Sequence, residues 1–249
     1  MNHLEDAASK NYFALFPEEM IASVLDAFVI NRPMNGNVGG DGFWVHRTLQ
    51  HFYIVVFDCM GHGHFASMMT RIYTQALEEV IAIRQTEDPG QILEQLHDII
   101  KTKFAGKKKL QVGSGADVGI LKIDTLVRKI EYAGAKMDLM HVFNGELQVV
   151  KSDRLQIGDL FEYDHKYTTQ NVDLDPKIKS NFYLSSDGLK DLIGGEEGKK
   201  FGKTQVKSLM EDNYQAPMAT QKENFQNSLA NWAGFYEPLD DMLVVGFSV

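Results

Sequence analysis

The chain has 249 residues, 44% of them hydrophobic and 24% charged, which is ample apolar material for a core and is read here as one domain. A formal net charge of −9 argues against a surface shaped for nucleic acid or anionic lipid, and no apolar run approaches the roughly 20 residues that a membrane-spanning helix needs. The single cysteine, Cys59, cannot form an intramolecular disulfide, and the N-terminal stretch lacks the basic, apolar, small-residue order of a secretory signal, so the chain reads as cytoplasmic.

Residues 1–20 read as a polar N-terminal arm or linker helix that docks weakly through Tyr12, Phe13, Leu15 and Phe16; residues 21–249 form the domain proper. Strands are expected over 24–31 and 42–48, bracketing the loop RPMNGNVGGD that closes on Asp41. The stretch 52–68, FYIVVFDCMGHGHFASM, organises the rest: a buried strand ends in Asp58, Gly61 and Gly63 permit a sharp turn, and a helix follows. Burying a carboxylate there costs several kcal/mol without a cation or hydrogen bonds, which points to a metal ligand. The plain alternative is a cap for the following helix.

Helical spacing of apolar residues covers 65–84 and 89–104, the second with Ile92, Leu96, Ile99 and Ile100 on one side. Met68 and Met69 suit core filling better than a soft-metal site, and Lys107-Lys108-Lys109 reads as a solvated loop. Residues 116–150 are expected to form an antiparallel meander, ADVGILKID, VRKIEYAG, DLMHVFN and ELQVV, with a hairpin turn at Asn144-Gly145. Residues 170–179 read as a polar loop and 182–185 as a buried strand, after which Ser186-Asp187-Gly188 repeats the design of Asp58. Helices over 203–212 and 218–232 precede a last strand, 242–249, opened by Asp240-Asp241. Grouped strands with paired helices favour a layered α+β fold.

Asp41, Asp58, Asp187 and Asp240-Asp241 thus share one setting, a carboxylate at a strand end, and such groups can gather at one edge of a sheet. Divalent cations relieve their mutual repulsion best, and oxygen ligands imply Mg²⁺ or Mn²⁺ rather than Zn²⁺. His62 and His64 are in reach as a ligand or general acid, a loop role being the alternative. Nothing marks a base that would activate Cys59 as a nucleophile.

The segments VGGDGFWV, FDCMGHGHFASM, SSDGLKDL and LDDMLVV, in this order, resemble the metal-dependent, PP2C-like protein phosphatases. They are most similar to the bacterial sporulation stage II E-type branch of partner-switching pathways. The resemblance implies an α-β-β-α sandwich of two antiparallel sheets flanked by helices, with two Mn²⁺ or Mg²⁺ ions at one end. It implies that Asp58 bridges both ions, that the Cys59 backbone carbonyl is a ligand, that Asp187 and Asp240 hold one ion and Asp41 the other, and that Asp241 supports them. Gly134-Ala135 stands where relatives often show Gly-Asp or Gly-His, which leaves a third metal site in question although Asp191 matches its other side. No counterpart of the phosphate-clamping arginine of eukaryotic relatives is found.

The activity so implied is that of a protein serine/threonine phosphatase acting on a small phosphorylated switch protein resembling an anti-sigma-factor antagonist. The contact regions expected for that protein are the helix after His64 and the segment 194–217. The alternatives are a catalytically silent phosphatase-like binding module and a hydrolase of small phosphate esters; retention of every core aspartate favours the enzyme. No nucleic acid or membrane contact by this segment is expected, while homodimerisation and fusion to a sensor domain stay open.

Overall fold

The computed structural model describes residues 12, 14–34, 36, 38–61, 63–106, 113–159, 164, 166–174 and 178–249, with the His64 side chain also left aside. In chain order the helices are α1 (Glu18–Ala22), α2 (Gly63–Leu77) continued by a π-helical turn (Glu78–Ile83), α3 (Pro89–Phe104), α4 (Gly188–Asp191), α5 (Gly202–Asn213) and α6 (Met218–Ala233). The first strands are β1 (Asp26–Arg32), β2 (Asp41–Arg47), β3 (His51–Cys59), β4 (Ala116–Asp124), β5 (Lys129–Ala135) and β6 (Leu139–Phe143). They are followed by β7 (Glu146–Val150), β8 (Gln170–Val172), β9 (Ser180–Ser185), β10 (Ile193–Gly194), β11 (Lys199–Lys200) and β12 (Met242–Ser248). One sheet runs β1-β12-β9-β6-β7 and the other β2-β3-β4-β5-β8, every ladder antiparallel, while β10 and β11 pair separately.

The pleat sorts the core into two clusters. Leu243, Val245 and Phe247 of β12 join Phe182 and Leu184 of β9 in a cluster that takes in the second sheet and the inner faces of α2 and α3. The alternate residues Met242 and Val244 join Tyr183, Phe28 and Ile30 under α5 and α6, through Val206, Leu209, Phe225 and Leu229. The layers are therefore helices, sheet, sheet, helices, the α-β-β-α sandwich expected of the sequence. Strand β3 lies under α2 on one face and against the other sheet on the opposite one, so it is buried without alternation from Phe52 to Phe57. Truncating one such filled position, for example Phe57→Ala, costs about 3–5 kcal/mol.

The structure corrects several boundaries. The stretch 116–150 is not one meander: β4 and β5 belong to one sheet and β6 and β7 to the other. The chain changes sheet just after Lys136, whose backbone sits at φ 57. Residues 170–172 leave the expected loop to pair with β5, Ile130 opposite Val172. The helix expected to start near residue 65 begins at Gly63.

The described part of the N-terminal arm is not weakly docked. Tyr12 and Phe16 are buried, their rings 5.0 Å apart, and Phe16 lies 5.4 Å from Phe43. The Tyr12 hydroxyl donates to the Asp41 backbone carbonyl at 2.6 Å. The Lys107-Lys108-Lys109 run lies outside the described residues. Among those that are described, no helix is long and apolar enough to cross a membrane.

Candidate metal centre

Topology alone brings the strand-end carboxylates together. Strand β3 runs antiparallel to both β2 and β4, so its C-terminal end lies beside their N-terminal ends, and the register places Asp41 opposite Asp58 and Asp58 opposite Asp117. Directly opposed residues project from the same face, giving a row of three carboxylates across three strands. In the other sheet β12 runs antiparallel to β9, with Val244 opposite Ser185, which sets Asp240 and Asp241 beside Ser186 and Asp187. The two groups meet across the seam: the Ser186 hydroxyl donates to Asp41 Oδ2 at 2.6 Å and the Asp187 amide to Asp58 Oδ2 at 3.4 Å.

Like charges directly opposed in a ladder are destabilising, and burial adds to that cost. Burial, then the charges of Asp187 and Asp117, push the Asp58 carboxyl up to about 7. Burial and the neighbouring Asp58 carry Asp41 well above the usual carboxylate range, against the lowering effect of the Ser186 hydrogen bond. Asp117 is raised by burial and partly restored by Lys136 and by Gln156, whose Nε2 donates to its Oδ1 at 2.9 Å. Clustered oxygen donors that resist ionising are what a hard divalent cation would relieve. Among the described residues no three His, Cys, Asp or Glu side chains close on one point as a protein-only cage would.

The Cys59 thiol is buried, and burial with the adjacent Asp58 pushes its pKa well above the ordinary thiol value, which works against the reactive thiolate. Its carbonyl faces Gly40 so closely that a Cβ there would come within 2.6 Å. Asp241 is buried with both oxygens engaged by backbone, Oδ1 by the Met34 amide at 2.7 Å and Oδ2 by the Gly40 amide at 2.6 Å. It therefore ties the loop before Asp41 to the start of β12. The exposed Asp240 accepts the Asp241 amide at 2.9 Å and adds its charge to the field on Asp41 and Asp58. The turn after Asp187 presses on the same place: a Cβ at Gly188 would lie 1.9 Å from the Asp241 carbonyl oxygen, hence the glycine.

Asp191 Oδ2 pairs with Lys200 at 3.0 Å, and Ala135 forms an isolated bridge with Asp153. His62 and the His64 side chain lie outside the described residues. Sequence reasoning did not single out Asp117 or Ser186. The first opens a strand antiparallel to β3 and shows the same strand-end design, a signal that was available; the second sits inside SSDG but owes its role to a contact with a residue 145 positions earlier. A cleft of about 330 Å³ opens over the cluster, reaching Asp58, Asp117 and Asp187 and flanked by Lys136 and Lys190. The Lys190 ammonium lies 3.8 Å from Asp187 Oδ2.

Residues 49–249 match the family described as Stage II sporulation protein E (SpoIIE). Among solved structures the chain is similar to the SiaA-PP2C domain of Pseudomonas aeruginosa, with 29% identity, coverage of 98% of this chain and 94% of that one, and a TM-score of 0.87. A structure of the PP2C phosphatase domain with a fragment of the regulatory domain of the cell fate determinant SpoIIE from Bacillus subtilis matches at 13% identity, 90% and 62% coverage and a TM-score of 0.69. RsbX in complex with magnesium matches at 18% identity, 90% and 94% coverage and a TM-score of 0.62. A search of curated proteins finds no match.

Proposed function

The chain belongs to the SpoIIE family and has the PP2C-type phosphatase fold, and from that premise we propose that it is a metal-dependent protein serine/threonine phosphatase. The observation that carries the reading is the convergence of Asp41, Asp58, Asp117 and Asp187 from both sheets, with the first three held above their ordinary pKa range. Asp58, Asp41 and Asp187, the Cys59 carbonyl and Asp240 are the groups that would hold two Mn²⁺ or Mg²⁺ ions, with Asp117 added by the geometry. Such ions, when bound, supply charge neutralisation for the phosphoryl group and a water made acidic enough to attack it.

The chain's own part is positioning. Ser186 fixes the Asp41 carboxylate, and its Oγ in turn accepts the Leu243 amide at 2.9 Å, so the ligand is braced by β12. Asp241 acts in this reading as the staple of the Asp41 loop rather than as a ligand, because its oxygens are already engaged. Lys136 and Lys190, at the mouth of the cleft, attract the phosphoryl dianion in place of an arginine clamp. No side chain is needed as a nucleophile, which agrees with the un-ionised Cys59.

The substrate in this reading is a small phosphorylated switch protein in the cytoplasm, supported by the family and by relatives named for SpoIIE and RsbX. Hydrolysis of an aryl phosphate should require added Mn²⁺ or Mg²⁺ and vanish with chelator; turnover that survives rigorous metal removal overturns the mechanism. A folded phosphorylated switch protein should be hydrolysed more efficiently than a phosphopeptide of the same local sequence. Equal efficiency would remove the support for partner switching.

A further inference from the structure

The cleft extends well past the carboxylates, and its far part has a different character. There its floor is the outer face of the β6–β7 hairpin and the start of α5: Met140 lies opposite Val149 in the ladder, Leu147 is on the same face, and Val206 closes the side. Helices α5 and α6 cover most of that face of the sheet, but Val149 remains 40% exposed on the edge strand β7. The edge itself is not offered for strand addition at Leu147, because the Leu147 amide is taken by Glu211 Oε1 at 2.7 Å.

The lining holds four lysines against four aspartates, three of which, Asp58, Asp117 and Asp187, belong to the carboxylate cluster, in a chain whose formal net charge is −9. Two of the lining lysines are balanced, Lys151 by Asp138 at 2.7 Å and Lys190 by Asp187 at 3.8 Å. Lys136, at the carboxylate end, offsets the charge of Asp117, whereas Lys203, on α5 at the outer end, has no ion-pair partner among the described residues. The space, about 330 Å³ in all, is at the small end of ligand pockets. A volume of that size takes a few side chains of an extended segment.

We propose that this arm of the cleft is a docking groove for the extended segment next to the phosphoresidue of the substrate, with apolar side chains on Met140, Leu147, Val149 and Val206 and an acidic side chain toward Lys203. The inference rests on the phosphatase reading for the position of the phosphoryl group, yet it concerns residues outside the carboxylate cluster. Sequence preference then comes from apolar contact plus charge sign, the usual division between an anchoring centre and a charged rim.

The test uses two labelled peptides carrying the non-hydrolysable phosphonate analogue of phosphoserine, one flanked by Leu, Val and Glu, the other with Lys in place of Glu. Binding to the full chain is read by fluorescence anisotropy with Mn²⁺ present, and aryl phosphate turnover is measured in parallel. The acidic, apolar peptide should bind about tenfold or more tightly than the basic one, and Val149→Asp and Lys203→Glu should each erase most of that preference. Both positions are exposed, so aryl phosphate turnover should stay unchanged in the variants. Equal binding of the two peptides by the unaltered chain, or a preference that survives both variants, overturns the groove. Loss of aryl phosphate turnover in the unaltered chain with metal present overturns the phosphatase reading instead, and the anisotropy still decides the groove.

Discussion

Replacing Asp58 by asparagine should stabilise the metal-free protein at pH 8 while abolishing turnover. In the folded chain the Asp58 carboxyl titrates at about 7, against an ordinary value of 3.8. At about 1.4 kcal/mol per pH unit, keeping it ionised costs the fold on the order of 4 kcal/mol. Because Asp187 and Asp117 share in that repulsion and can adjust, about half is a safer expectation for one substitution. The sign is fixed: a carboxyl raised in the folded state favours folding below pH 4 and loses that contribution as pH rises through 7. Asparagine keeps the shape without the charge, so the variant should melt on the order of 4–8 °C higher at pH 8 in chelator, at about 2–4 °C per kcal/mol for a domain of this size. The gap should close by pH 4. Added Mn²⁺ should raise the melting temperature of the unaltered chain much more than that of the variant. Thermal denaturation followed by circular dichroism across pH 4–8, with and without Mn²⁺, reads all of this. A variant that melts lower than the unaltered chain at pH 8 in chelator, or a gap that does not depend on pH, refutes the account of the row of carboxylates.

Ser186→Ala removes the donor to Asp41 and the acceptor of the Leu243 amide, both buried, and should cost about 1–3 kcal/mol by chemical denaturation. It should also weaken Mn²⁺ activation by about 10–100-fold in metal titrations. Cys59→Ala should keep turnover within a few-fold, since the thiol is buried in the hydrophobic core; a variant without activity but with an unchanged circular dichroism spectrum would reinstate the thiol. Asp88 caps α3 by accepting the Gln91 amide at 2.9 Å and also the Thr169 hydroxyl at 2.9 Å. Asp88→Ala should therefore lower stability by about 1 kcal/mol with turnover intact, as measured by the urea midpoint and an aryl phosphate assay.

What could be read from the sequence follows from how local each signal is. The apolar run into Asp58 is a property of consecutive residues, and its buried strand, β3, lies where expected. Whether 116–150 stays in one sheet is not local: β5 and β6 have equally good strand patterns, and the change of sheet depends on backbone geometry at Lys136. The same limit hid β8, where a polar QNV pairs with β5 because its position, not its composition, offers an open edge. Asp117 shows the intermediate case, since its role appears once β4 is laid against β3 in register. The docking of Tyr12 could not be seen because an amphipathic arm looks alike whether it lies on the surface or in the core.

The pairing of β1 has a consequence for biosynthesis. At the border of its sheet β1 has a single neighbour, β12, and Asp26 sits opposite Ser248, 222 residues later in the chain. At about 5–20 residues per second, β1 waits roughly 10–45 s on the ribosome before its partner exists. Through that interval Phe28, Val29 and Ile30 have no ladder to enter, and the Gly40 loop lacks the Asp241 staple that arrives 201 residues after it. The emerging chain thus leaves these apolar residues unpaired until β12 is made, and a prematurely stopped one would lack both the strand that joins β1 to the rest of its sheet and the brace behind Asp41.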